Sequence, residues 1–223
     1  MIFAAHQPNL LPWLPFWVKV DCADVFGVMG HAQYSKGQYH NRVRIPIRPD
    51  QHIMLTVPVS VKLGQTINEV VIAPAANRRK LSEQLRAAYG CSRYWHDYGP
   101  QLLDIVDACV PGAGLANLTI VLFFWLAKQL QISTGCRLVI PAGAGPSENL
   151  AIWAAEAGCS TYLSGAGAAT YLEHAPFAQR GITIKYSRPV IDPKYASTSA
   201  LTALFDLGSE WRSCITQKGI SDE

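Results

Sequence analysis

An imidazole and two amides stand close together near the start of the chain, in His6-Gln7-Pro8-Asn9. A second polar group follows in Gln33-Tyr34-Ser35-Lys36 and Asn41-Arg42-Val43-Arg44. The first set could move a proton. His6 suits a general base on an attacking amine, or a group that steadies a transferring acyl or phosphoryl centre. Gln7 and Asn9 could orient the acceptor. The second set adds a cation at Lys36, a phenol at Tyr34 and amides at Gln33 and Asn41. Its guanidinium groups pair bidentately with phosphate or carboxylate, and Arg42 and Arg44, two apart, point the same way on a strand. The plain alternatives are a hydrogen-bonded loop histidine, an exposed hairpin around Gly37 and solvated arginines. Amides are costly to bury without partners, so Gln33, Asn41 and Arg42 argue for a site more strongly than Lys36 does.

These side chains need elements to hold them. Ile2 to Ala5 is an apolar run suited to an inner strand covered on both faces. Pro8 fixes Gln7 in extended geometry and ends the ladder, so His6 falls at the carboxyl end of a strand, where open α/β sheets bind ligands. Further strands are expected at Asp24 to Met29, Val43 to Ile45, Ile53 to Val59 and Val70 to Ile72. A short helix is expected at Leu14 to Cys22, with Pro15 in its first turn. Residues 76–131 read as helical, and the stretch Asn117 to Leu130 is apolar nearly all round, as in a central core helix. Strands at Arg137 to Ile140, Thr161 to Leu163 and Thr183 to Tyr186 then alternate with a helix at Glu148 to Ala157, which Ser147 could cap. The pattern predicts a three-layer α/β sheet, at least partly parallel, with a helical middle segment. It makes one α/β domain of residues 1–208, with a helical insertion at about 76–131 that could lid the site, and a little-patterned tail over 209–223.

Other features bound the chemistry. Ser164-Gly165-Ala166-Gly167 follows a strand and could cradle an anion on backbone amides, or be only a tight turn. Trp13 and Trp17 most simply share a helix face; stacking on a base or sugar is the minority reading. His31, His40, His52, His96 and His174 show no metal-ligand spacing. The six cysteines are scattered without a C-x-x-C pair, so no zinc site is read and no metal is expected. Without a basic leader before Ile2, they read as reduced thiols of a cytoplasmic protein. Hydrophobic residues are 49% of the 223 and charged residues only 16%, which implies much buried surface and leaves room for a homo-oligomer interface. A net charge of +3 is too mild to imply nucleic acid by itself. The longest apolar run, within Leu118 to Ala127, is about half a membrane span, so no membrane is expected.

The motifs, taken in order, resemble the WbqC-like protein family. The resemblance rests on His6-Gln7-Pro8-Asn9 with Leu11-Pro12-Trp13-Leu14, then Lys19 and Ala23-Asp24-Val25-Phe26. It continues through Gln33-Tyr34-Ser35-Lys36, Asn41-Arg42-Val43-Arg44-Ile45, Leu55-Thr56-Val57-Pro58-Val59, Ile67-Asn68-Glu69-Val70 and Tyr162-Leu163-Ser164-Gly165. It implies a biosynthetic enzyme of surface-polysaccharide or related clusters that modifies an amino sugar or another amine by acyl or aminoacyl transfer. His6, Gln7, Asn9 and Lys36 would then be catalytic. Lys19, Gln33, Tyr34, Asn41, Arg42, Arg44, Ser164 and Gly165 would bind substrate. The partners would be a small-molecule amine acceptor and an activated donor, carrier-bound or tRNA-bound; no cofactor is named. This chain departs from the family where His31 stands in place of an acid and could act as acid or base itself. Two other readings stay open: an ATP-dependent nucleotidyltransferase-like enzyme, and a non-catalytic ligand-binding module.

Overall fold

The computed structural model describes residues 1–48, 51–143 and 145–222. The chain opens with β1 (Ile2–His6), α1 (Leu14–Asp21) and β2 (Val25–Val28). A hairpin follows, β3 (Arg42–Arg48) and β4 (Gln51–Thr56), then the short pair β5 (Val59–Ser60) and β6 (Val71–Ile72). Three helices come next: α2 (Arg78–Tyr89), α3 (Trp95–Asp107) and α4 (Leu115–Gln129). The second half runs β7 (Gly135–Leu138), α5 (Pro146–Glu156), β8 (Thr161–Gly165), α6 (Ala175–Ala178) and β9 (Thr183–Ser187). It closes with β10 (Val190–Ile191), α7 (Pro193–Ala196), α8 (Leu201–Leu207), β11 (Ile215–Gln217) and β12 (Ile220–Ser221).

The central sheet has the order β12-β9-β8-β1-β2-β7. All its pairings are parallel except β12 against β9. Each face carries its own core. Ala4, Phe26, Val28 and Leu163 face α1, α4 and α8, whereas Phe3, Ala5 and Tyr162 face α5 and α6. The alternation follows from the period of two along a strand. It makes the fold the expected three-layer α/β arrangement with a mainly parallel sheet. Close approach is needed at Gly27, where an added Cβ would lie 2.9 Å from the Phe3 ring.

Helix α4 buries most of its surface against α1 and the sheet but leaves an outer stripe at Asn117, Val121, Phe124 and Lys128 exposed, so its all-round apolar character overstates its burial. Its Phe123 stacks on Trp17 and on Phe26, at 4.9 and 5.8 Å between centroids. The helical middle is therefore a packed layer of the fold. Helix α2 starts where the Asn77 side chain accepts from the Lys80 N–H.

Three sequence expectations need revision. The strand anticipated at Ile53 to Val59 is split, because Pro58 has no N–H to continue the ladder. Helix α5 begins one residue before Ser147, at Pro146. The Ser147 hydroxyl instead accepts from the Glu173 N–H, so it ties α5 to the segment after β8. The residues after Gly208 are built into the fold. Trp211 is fully buried and donates to the Leu130 carbonyl at 2.8 Å, and β12 adds an edge strand. One Trp in a polar stretch shows no periodicity, which is why pattern reading missed the segment.

Candidate functional site

The chain leaves β1 on one side for β2 and returns on the other side with β8. The carboxyl ends of these two strands flank the point where the strand order reverses, and a cleft of about 750 Å³ opens there. This is where open α/β sheets bind ligands, and the volume is that of an ordinary small-molecule site. Its walls come from the end of β1, the first turns of α1, the start of α5, the turn after β8 and the end of β9.

The connection from β1 to α1 is rigidly held. Leu10 donates its N–H to the Tyr39 carbonyl, Ser199 donates its hydroxyl to the Leu11 carbonyl, and Ala200 donates its N–H to the Pro12 carbonyl. Leu11 has φ +43°, a left-handed conformation that costs an L-residue about 1–2 kcal/mol. The surrounding bonds and the burial of Leu10 and Leu11 hold it there.

His6 is the last residue of β1 and is partly buried, its ring edge-on to Phe16 at 5.1 Å. Its Nδ1 lies 3.0 Å from the Gln7 carbonyl oxygen. A neutral imidazole placed so donates from Nδ1 and presents Nε2 as an acceptor. Burial, then the positive charge of Lys19, push its pKa down to about 3, so it is uncharged at neutral pH. Lys19 reaches back from α1 and donates to the Ala5 carbonyl at 3.0 Å. It is only 5% exposed, and burial lowers its pKa to about 8. Tyr162 also lines the cleft, and burial pushes its phenol's pKa up.

Of the expected site residues, the structure brings His6, Gln7, Lys19, Ser164 and Gly165 together on the cleft wall. Asn9 lies two residues beyond, in the clamped connection. The second polar group sits elsewhere. Asn41 is buried, accepts from the Tyr34 hydroxyl at 2.9 Å and donates to the Val57 carbonyl at 2.8 Å, fastening the hairpin to its neighbours. Gln33 bridges to Thr66, Lys36 is exposed, and Arg42 donates to the Gly37 carbonyl. Arg42 and Arg44 do share the outer face of β3, since Val43 and Ile45 between and beyond them are buried. None of these residues lines the cleft, nor does any residue of α2, α3 or α4. His31 contacts the Val139 carbonyl and the Trp153 ring, also away from it.

Sequence reasoning missed Ser187, Arg188 and Tyr171, all of which line the cleft. The rule that placed His6, polar residues directly after a parallel strand, would have found Ser187-Arg188 as well. It needed the knowledge that β9 runs parallel beside β8. No cysteine lines the cleft. Burial raises the thiol pKa of Cys136 and Cys214 to about 11, which disfavours a thiolate at either. Among the described residues no cluster of three or more His, Cys, Asp or Glu could hold a metal ion, and no helix is long and apolar enough to cross a membrane.

The comparisons with known proteins fit this picture. No solved structure matches the chain. A Mycobacterium tuberculosis (strain ATCC 25618 / H37Rv) protein named "Uncharacterized protein Rv1507c" is 26% identical over 196 residues, covering 82% of this chain and 80% of the relative. The model of the WbqC-like protein family matches residues 7–202, a span that takes in the connection after β1, the hairpin and the turn after β8, and the chain belongs to that family.

Proposed function

We propose that this protein is a biosynthetic transferase that acylates or aminoacylates an amine-bearing substrate, forming an amide, in a surface-polysaccharide or natural-product pathway. The observation that carries the reading is the pairing of an uncharged imidazole with a buried ammonium at the reversal point of the sheet. An attacking amine forms the new N–C bond and must shed a proton. His6 Nε2 is the acceptor for that proton and passes it to the leaving oxygen or sulfur of the donor as the old acyl bond breaks. Lys19 supplies positive charge where oxygen becomes anionic. A negatively charged donor or acceptor in the cleft offsets Lys19 and raises the His6 pKa toward the range where a base is effective. The donor arrives already activated, on a carrier or a tRNA, and the acceptor is a small amine.

The test is product mass. Amino-sugar nucleotides are incubated with the protein and with acyl-CoA, acyl-carrier protein or aminoacyl-tRNA, and the acceptor is checked for the added acyl group. His6→Ala should abolish turnover while leaving the melting temperature nearly unchanged; full activity in that variant sinks the assignment. The parallel order β7-β2-β1-β8-β9, with a histidine as the last residue of the first strand, favours one other reading: ATP-dependent nucleotidyl transfer. Pyrophosphate release that depends on the acceptor would select it.

A further inference from the structure

The far wall of the cleft carries groups that the transfer chemistry does not use. Ser187 ends β9 and lies directly across the β8–β9 ladder from Gly165. The residue is only 7% exposed, and its hydroxyl oxygen is buried with no hydrogen-bond partner among the described residues. A buried hydroxyl left unpaired is costly, so this one is poised for a partner that enters the cleft. Arg188 follows it, exposed, on the cleft wall and outside every ion pair found among the described residues. Opposite runs the turn Gly165-Ala166-Gly167, where a Cβ added at either glycine would meet nothing within 4 Å. The backbone there is bare to the cleft. Among the described residues no aspartate or glutamate lines the cleft, whereas Lys19 and Arg188 both do. At its mouth stand two exposed aromatic rings, Trp13 (51% exposed) and Tyr171 (73%).

We infer that Ser187, Arg188 and the Gly165–Gly167 turn form a subsite for the diphosphate of a nucleoside-diphosphate-bearing substrate, with Trp13 and Tyr171 receiving its base. A guanidinium fork and backbone amides are the usual partners of phosphate oxygens. A single hydroxyl donor completes the set, and flat rings at the mouth suit a base, whose face stacks on aromatic side chains. As a statement about which substrate is acylated the inference rests on the transfer reading; as a statement about binding it does not.

The experiment is calorimetric titration of the full chain with UDP, ADP, CoA, inorganic pyrophosphate, uridine and adenosine. The diphosphates should bind at least roughly tenfold more tightly than the nucleosides, because only they offer phosphate oxygens for charge-assisted hydrogen bonds. Arg188→Gln should lose that advantage, Ser187→Ala should lose part of it, and Arg188→Lys should restore some. Trp13→Ala should weaken the nucleotides and leave pyrophosphate unchanged. Preference for UDP assigns the diphosphate to the acceptor, and preference for CoA assigns it to the donor. Nucleosides binding as tightly as their diphosphates, an unaffected Arg188→Gln variant, or no binding by any probe would overturn the subsite. Diphosphate binding without acyl transfer would leave the subsite standing and remove the transfer reading alone.

Discussion

Replacing Lys19 with methionine should make the protein more stable at neutral pH and less able to function. The ammonium is 5% exposed, and burial lowers its pKa from 10.5 to about 8. That displacement corresponds to about 3 kcal/mol of native-state cost wherever the group is charged in both states. Methionine keeps the length and apolar character of the stem but leaves the Ala5 carbonyl without this donor, a loss of about 1 kcal/mol. The balance is a gain of about 2 kcal/mol at pH 7, or roughly 4–8 °C in melting temperature for a chain of this size. The sign then changes with pH. Below pH 8 the lysine is protonated folded and unfolded alike, and the cost is constant. Between 8 and 10.5 the unfolded chain holds a proton that the native state has lost, so wild-type stability rises through this window. Near pH 10.5 the cost has gone, only the lost hydrogen bond remains, and Lys19→Met should be the less stable protein by about 1 kcal/mol. Urea melts of both proteins at pH 7 and across the alkaline window measure the difference directly, since all other titrating groups are common to the pair. A variant less stable at pH 7, or a difference that does not change with pH, would show that Lys19 is a structural donor and not a charge held at a cost.

Two further changes separate the cleft from the elements around it. Asn41→Ala should lower stability by about 1–3 kcal/mol, because the Val57 carbonyl and the Tyr34 hydroxyl both lose a buried partner. The urea midpoint should move while UDP titration does not; a change in binding would bring the hairpin back into the site. Trp211→Ala should cost about 3–5 kcal/mol, seen in the same melts, since the ring is fully buried and its Nε1 donates to Leu130. A near-neutral result would mean the segment after Gly208 contributes little to the core.

Much of this was legible in the sequence because it is local. The apolar run Ile2 to Ala5, stopped by Pro8, puts His6 at a strand end whatever the rest of the chain does. The apolar surface of α4 reports the burial of its inner face, though Val121 and Phe124 lie outside it. Other parts depend on what lies across space. Lys19 matches a family position, but its partner is a carbonyl fourteen residues back, and only the packing of α1 against β1 brings them together. Arg42 and Arg44 were correctly placed on one face of a strand, yet nothing in their spacing says that this face turns away from the cleft. Ser187 and Arg188 are invisible until β9 is known to lie beside β8.

Two costs meet at the one crevice, a buried lysine held below its ordinary pKa and a buried serine hydroxyl without a partner among the described residues, and a left-handed leucine lies in the connection beside it. The lysine and serine costs could each be relieved by one substitution, to methionine and to alanine. Packing does not require them. Sheet faces elsewhere in the molecule are filled with residues that agree with their surroundings, as in the Phe3–Tyr162 and Phe26–Phe123 contacts. Costs that gather around one crevice are best explained by what that crevice must bind or transform. If so, the stabilising effects of Lys19→Met and Ser187→Ala should each be accompanied by loss of ligand affinity or turnover. Stabilisation of both variants with undiminished binding and turnover would detach these costs from function.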